Sequence, residues 1–239
     1  KSPIVKRFLK RKVSIVGLVI LAIFFLMATI GPFLCQYDPL AQDTTIISQG
    51  PSAEHWFGTD DLGRDLFARV FQGGRVSLTI GIVGAVVASV VGSIYGGIAS
   101  YFGGIVDDIM MRIVEVLLSI PYLLTVILIS VVTDSKSIGT MMLALVLTGW
   151  CGIARLVRGQ MLQLKSQEYI LAANALGVSP IKTIMRHMIP NTLGMIIVAI
   201  TFDIPGYIFS EAFLSYVGLG VQPPDTSWGA LASAAQQNF

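Results

Sequence analysis

Residues 76–99 read VSLTIGIVGAVVASVVGSIYGGIA, a run without a single charge. A hydrocarbon core of about 30 Å is crossed by roughly 20 apolar residues in an α-helix, so this stretch predicts a transmembrane helix. A small residue recurs at every fourth position, Gly84, Ala88, Gly92, Gly96 and on to Ser100. Helices in lipid gain little from hydrophobicity against one another, and close approach needs small side chains along one face. The stripe therefore reads as a helix buried between neighbours. The plainer reading is that Gly and Ala are abundant in membrane helices.

Four further stretches resemble the first in length and apolarity: 13–34, 113–132, 138–153 and 192–209. The fourth span is short, and its Gly139, Gly149 and Gly152 suggest a tilted or closely packed helix. The whole chain of 239 residues fits them, being 54% hydrophobic and 13% charged. Soluble domains carry about 25% charged residues. The composition predicts an all-α, polytopic membrane protein and excludes a soluble core. The first apolar stretch is too long for a signal peptide and lacks a small-residue cleavage pattern.

Orientation follows from where the cations lie. Lys1, Lys6, Arg7, Lys10, Arg11 and Lys12 precede the first span, which predicts a cytoplasmic segment 1–12. Arg112, with Asp107 and Asp108, falls in the next cytoplasmic loop, and Arg155, Arg158, Lys165, Lys182 and Arg186 in the one after. The segment 35–75 carries six acids against three arginines and is expected outside. The dense basic run beside a span needs no nucleic acid to explain it. Five spans leave the C-terminal end outside, so a core fragment with a sixth span beyond residue 239 is expected. Cys35 and Cys151 fall near opposite membrane faces and read as two free thiols.

Residues 167–190, QEYILAANALGVSPIKTIMRHMIP, are the one long stretch built differently. Gly177 sits where a helix starting near Glu168 would end, in the position that favours a left-handed residue. Ser179 followed by Pro180 is a helix start, Ser as cap and Pro at the first position. The spacing predicts two short helices with a tight turn, closed by Pro190. Ala172, Ala173 and Ala175 would let another surface approach the first helix closely. An ordinary amphipathic loop on the membrane surface fits the same residues.

This segment resembles the cytoplasmic "EAA" loop of ABC-importer permeases: EAA, three residues, Gly, nine residues, Ile-x-Leu-Pro. Ala172, Ala173, Gly177, Ile189 and Pro190 match. Leu171 stands where the family has Glu, His187 where it has Ile, and Glu168, one turn earlier, is the candidate substitute carboxylate. Residues 55–65 (HWFGTDDLGRD) and 210–224 (SEAFLSYVGLGVQPP), followed by Ser227-Trp228-Gly229, resemble the outer-face signatures of peptide-importer permeases. Order, spacing and span count are similar to the second permease subunit of oligopeptide and dipeptide importers. The resemblance implies a type I ABC-importer permease fold, with a permease core over 76–239 that is incomplete at its C-terminus. It also implies a non-catalytic subunit that pairs with a second homologous permease on two ATPase subunits. Those ATPases would bind ATP and Mg²⁺, so this chain would need no cofactor of its own. An extracytoplasmic binding protein would deliver the peptide, and the segment 167–190 would couple to an ATPase. The motifs specify the family more closely than the cargo; nickel or another small solute is the alternative within the same subfamily.

Other chemistry is weakly supported. The stretch 177–183 (GVSPIKT) lacks the second Gly of a phosphate loop and follows no strand. Asp60, Asp61 and Asp65 do not have the alternation or terminal Glu of a calcium loop; they read as starting a short outer helix that runs to Phe71 and ends at Gly73-Gly74. His55 and His187 have no convergent acid or Cys, so neither reads as a metal ligand or a catalytic base. Asp203 lies midway along the fifth span, two residues before Pro205, where an ionisable group is costly and often marks a pathway. It reads as a cavity-facing group near the transported solute, or as a buried carboxyl that is paired or protonated. Glu115 and Glu211 fall nearer the interfaces. An ion-coupled secondary transporter would carry paired intramembrane charges and internal repeats; only Asp203 qualifies, and no repeat is evident.

Overall fold

A computed structural model describes residues 11–135 and 137–237. The basic residues Lys1, Lys6, Arg7 and Lys10 lie outside the described residues. Among those described, the chain is helical, with one isolated β-bridge between Thr59 and Asp65 and no strand. Four helices among the described residues are long and apolar enough to cross a membrane, or five if one bent helix pair counts as a single span. The chain divides into two compact units, one formed by residues 1–78 with 221–239 and the other by 79–220.

In the first unit, helix α1 (Lys12–Leu34) exposes nearly all of its apolar side chains, as a lipid-facing helix does. Residues 35–65 follow without regular helix. Helix α2 (Leu66–Phe102) then starts ten residues before the run that predicted it. The short outer helix expected to end at Gly73-Gly74 does not exist as a separate element; it is the first part of α2. The reason is packing. These glycines do not cap a helix but admit a neighbour: a Cβ on Gly73 would lie 3.0 Å from the Ser227 carbonyl carbon, and one on Gly74 would lie 2.7 Å from the Trp228 ring. The Trp228 indole N–H donates to the Val70 carbonyl at 3.0 Å. Trp228 itself opens the last helix, α9 (Trp228–Gln237).

The second unit holds the rest of α2 and six further helices among the described residues. The third expected span is broken into α3 (Gly104–Ser119) and α4 (Tyr122–Thr133), bent by 87°. Pro121 causes the break: it lacks an N–H and its ring excludes the helical conformation from the preceding residue, and Ile120 is extended at ψ 123°. Helix α5 (Ile138–Lys165) runs twelve residues past the expected end at Ile153. Its cationic part stays helical because Val157 and Met161 are buried while Arg158 reaches Asp107 on α3. Helices α6 (Glu168–Ala175) and α7 (Pro180–Thr183) follow. A π-helical turn over Ile184–Met188 then leads into α8 (Ile189–Tyr216).

The elbow formed by α6, the turn at Gly177 and α7 is therefore not closed at Pro190, as the spacing suggested. Pro190 lacks the donor an α-helix would need. The π turn shifts the register around it, and the Asn191 amide donates to the His187 carbonyl at 2.6 Å. The helix continues through the proline.

Along α2 the small residues meet different neighbours. Gly84 lies against the Tyr207 ring, Gly92 against the backbone of Trp150 and Ala154, and Gly96 against the backbone of Ala154 and Arg158. Ala88 and Ser100 are fully buried. Cys35 and Cys151 are free thiols, the second of them buried.

Candidate functional site

The helical elbow is built from local signals. The N–H of Gly177 donates to the Asn174 carbonyl and that of Val178 to the Ala173 carbonyl, a Schellman closure of α6. Gly177 takes φ +73°, a conformation that strains residues with a Cβ. Ser179 occupies the cap position of α7, but its hydroxyl makes no capping bond; Pro180 at the first position starts the helix.

The two faces of α6 differ. Ile170 is fully buried in a cluster with Val157 and Met161 of α5, Ile184 and Met188 of the π turn, and Ile196 of α8. Tyr101, at the end of α2, donates its hydroxyl to the Asn174 side chain at 3.0 Å. On the other face Glu168, Ala172, Ala175 and Gly177 are exposed, with Leu171 55% and Leu176 84% accessible. Ala173 does not join them: at 8% accessibility it packs against its own chain, so it is not part of the surface the sequence assigned to it. Ile189 is half-buried and Pro190 exposed, both in the first turn of α8 rather than in the elbow.

Asp203 occupies a different place. It lines a cavity of about 250 Å³ with Tyr122 of α4, Thr148 and Gly149 of α5, and Tyr207 and Ser210 of α8. Tyr122 donates to the Ser210 carbonyl at 3.3 Å, tying α4 to α8 in the lining of this cavity. The Tyr207 hydroxyl is buried and has no hydrogen-bond partner among the described residues.

The segments 55–65 and 210–224 carry hydrogen-bonded acidic groups. Asp65 caps α2, one carboxylate oxygen accepting the Ala68 N–H at 2.7 Å and the other the His55 Nδ1–H at 2.8 Å. Asp60 accepts from the backbone N–H groups of Leu62 and Arg64 and from the Arg64 guanidinium at 2.7 Å. These acids are engaged in shaping a loop. Outside them, the exposed Asp43 carboxyl is held below its ordinary value by hydrogen bonds from Thr45. In the 210–224 signature Glu211 is fully buried and accepts the Ser215 hydroxyl at 2.7 Å.

Comparison with known proteins matches these features. The family described as binding-protein-dependent transport system inner membrane component matches residues 88–237. The N-terminal transmembrane domain of oligopeptide transport permease C matches residues 3–51. The dipeptide transport system permease protein DppC of Bacillus subtilis (strain 168) is 49% identical over 228 residues, covering 95% of this chain and 71% of that protein. The chain belongs to this permease family, in its OppC/DppC-like branch. The oligopeptide permease OppC of B. subtilis is 46% identical, with 95% of this chain and 74% of the relative covered. OppC of Escherichia coli (strain K12) is 42% identical, with 95% and 76% covered.

The permease is thus a multi-pass membrane protein with the ABC-importer permease fold. Two of its structured sites were not singled out from sequence. The Asp107–Arg158 ion pair joins residues 51 apart that were read only as loop charges. Glu211 was placed near an interface, although its position inside the 210–224 signature was a signal that it does more.

Proposed function

We propose that this permease is the transmembrane subunit of an ATP-driven peptide importer, forming half of the translocation pathway. In this reading the N-terminus is cytoplasmic, a second homologous permease completes the pathway, and an extracytoplasmic binding protein delivers the peptide. Two ATPase subunits bind and hydrolyse ATP with Mg²⁺; this chain carries no cofactor and no catalytic group. The relatives named as dipeptide and oligopeptide permeases support the cargo class.

The observation that carries the coupling role is the two-faced α6. Its outer face exposes Leu171 and Leu176, an apolar surface suited to a partner's cleft. Its inner face buries Ile170 in a cluster shared by α5, the π turn and α8. A push on the elbow therefore reaches two spans through a close-packed core rather than through a loose loop. Packed cores respond by shifting between discrete arrangements, as a coupling element requires. Asp203, on α8, faces the pathway.

Co-expression with two ATPases, the second permease and the binding protein tests this. The ATPases should co-purify with the chain. Ala172→Trp, on the exposed face, and Gly177→Trp should abolish peptide uptake while leaving ATP hydrolysis uncoupled from it. Unchanged uptake in both variants would exclude the elbow as the coupling element.

A further inference from the structure

Asp203 is a carboxylate in the middle of a membrane helix with no hydrogen bond and no ion pair to any described residue. Neither α4 nor α8 contains a Lys or Arg, and α5 has none before Arg155, so the walls of the cavity supply no counter-charge. A bare carboxylate in such surroundings is costly and is expected to meet a cation. Tyr207, on the same face of α8 one turn later, is 8% accessible, and its buried hydroxyl likewise has no partner among the described residues. It sits against Gly149, another wall residue, where any side chain would displace it. Ser210 and Thr148 add hydroxyls to the same wall.

We infer that this cavity holds the protonated amino terminus of the peptide in transit, with Asp203 as its counter-charge and Tyr207 as a further acceptor. The inference rests on the peptide-importer reading above. An ammonium group has three donors and no acceptor, which suits a wall of one carboxylate and several hydroxyl oxygens. A volume of about 250 Å³ accommodates an end group and its first side chain but not a whole peptide. That limit favours recognition of a feature every unmodified peptide shares, and it leaves side-chain preference to other components. An anionic terminus is repelled by the same carboxylate.

The complete transporter in proteoliposomes, with its binding protein in excess, tests the assignment. Uptake of tri-alanine and of N-acetyl-tri-alanine, each saturating the binding protein, is measured for wild type, Asp203→Asn and Asp203→Glu. Taking each variant's rate relative to wild type for the same peptide cancels the binding protein's own preference. Asp203→Asn should slow tri-alanine about tenfold or more, the scale of one charge-assisted hydrogen bond, and the acetylated peptide less than about twofold, the change left when no charge pair is lost. Asp203→Glu should recover most of the tri-alanine rate. Undiminished tri-alanine uptake in Asp203→Asn overturns the inference, as does equal slowing of both peptides. Loss of the second permease from the purified Asp203→Asn complex would also overturn it, assigning the carboxylate to a contact between subunits. If the wild-type complex imports no peptide, the importer reading itself fails; if it does and Asp203→Asn is unaffected, only this inference fails.

Discussion

Adding a single methyl group at Gly96 should separate α2 from α5. A Cβ built there would lie 3.0 Å from the Arg158 nitrogen and 3.1 Å from the Ala154 carbonyl carbon, and closer still to the Ala154 oxygen. At Gly92 the nearest atoms would be the Trp150 oxygen at 2.6 Å, the Ile153 Cβ at 2.8 Å and the Ala154 nitrogen at 2.9 Å. These are mostly backbone atoms, so no side chain can rotate away. Relaxed carbon contacts need about 3.5–4.0 Å, and the helices must part by roughly half to one ångström. Overpacking of this kind costs about 1–3 kcal/mol, partly offset by about 0.8–1 kcal/mol of helix propensity gained on replacing Gly by Ala. The net expectation is a loss of up to about 2 kcal/mol for Gly92→Ala or Gly96→Ala. Gly159, also in α5, has nothing within 4 Å of its would-be Cβ and serves as the control. Gly159→Ala should gain up to about 1 kcal/mol. The propensity gain is common to both variants, so thermal unfolding of the purified protein in detergent should place Gly96→Ala roughly 2 °C or more below Gly159→Ala, at about 2–4 °C per kcal/mol for a chain of this size. Equal stability of the two variants would refute the close-packed stripe.

Three further outcomes follow from named contacts. Asp107→Ala should cost about 1–3 kcal/mol by stripping Arg158 of its carboxylate, and the swapped pair Asp107→Arg with Arg158→Asp should recover part of that loss in the same unfolding assay. Gly149→Ala should be destabilising because its Cβ meets the Tyr207 ring and hydroxyl. Tyr207→Phe alone should leave stability unchanged, since that hydroxyl has no partner to lose, and the two together should be less harmful than their sum in a double-mutant cycle. Burial first, and the Asp65 charge second, push the Cys35 thiol pKa upward. Because the thiolate is the reactive form, alkylation of Cys35 should reach half its maximal rate at a pH above the ordinary value of about 8.5. Asp65→Asn should move that midpoint down, and a midpoint equal to that of a free thiol would count against the burial.

Local chemistry was enough to read several elements directly. Uncharged apolar runs predicted the spans because crossing a hydrocarbon layer is a matter of composition and length. Gly177 and Pro180 predicted the end of one helix and the start of the next because each acts through its own backbone. The same is true of Asp65 at the start of α2: a carboxylate just before a helix satisfies donors two or three residues away.

The misread boundaries share a different cause. Gly73-Gly74 looks like a stop from its neighbours in sequence, but Trp228, some 150 residues away, packs against the pair and keeps the helix running. Pro190 looks like a closing residue, yet a π turn and the Asn191 side chain carry the helix past it. Pro121 sits in a run apolar enough to span, and the break emerges only from the backbone it forbids.

The elbow and the cavity divide in the same way. Composition marked 167–190 as a docking segment and Asp203 as an intramembrane carboxylate. Which alanine faces outward was settled by the cluster around Ile170, which turns Ala173 inward and leaves Ala172 exposed. The cavity around Asp203 needs three helices, with Tyr207 contributed one turn along and Gly149 contributed from a separate span. A chain carries its propensities residue by residue, but a wall built from distant residues exists only once they pack. That is why the apolar runs and the turn are legible in the sequence alone, while the helix boundaries, the faces and the cavity are decided by the fold.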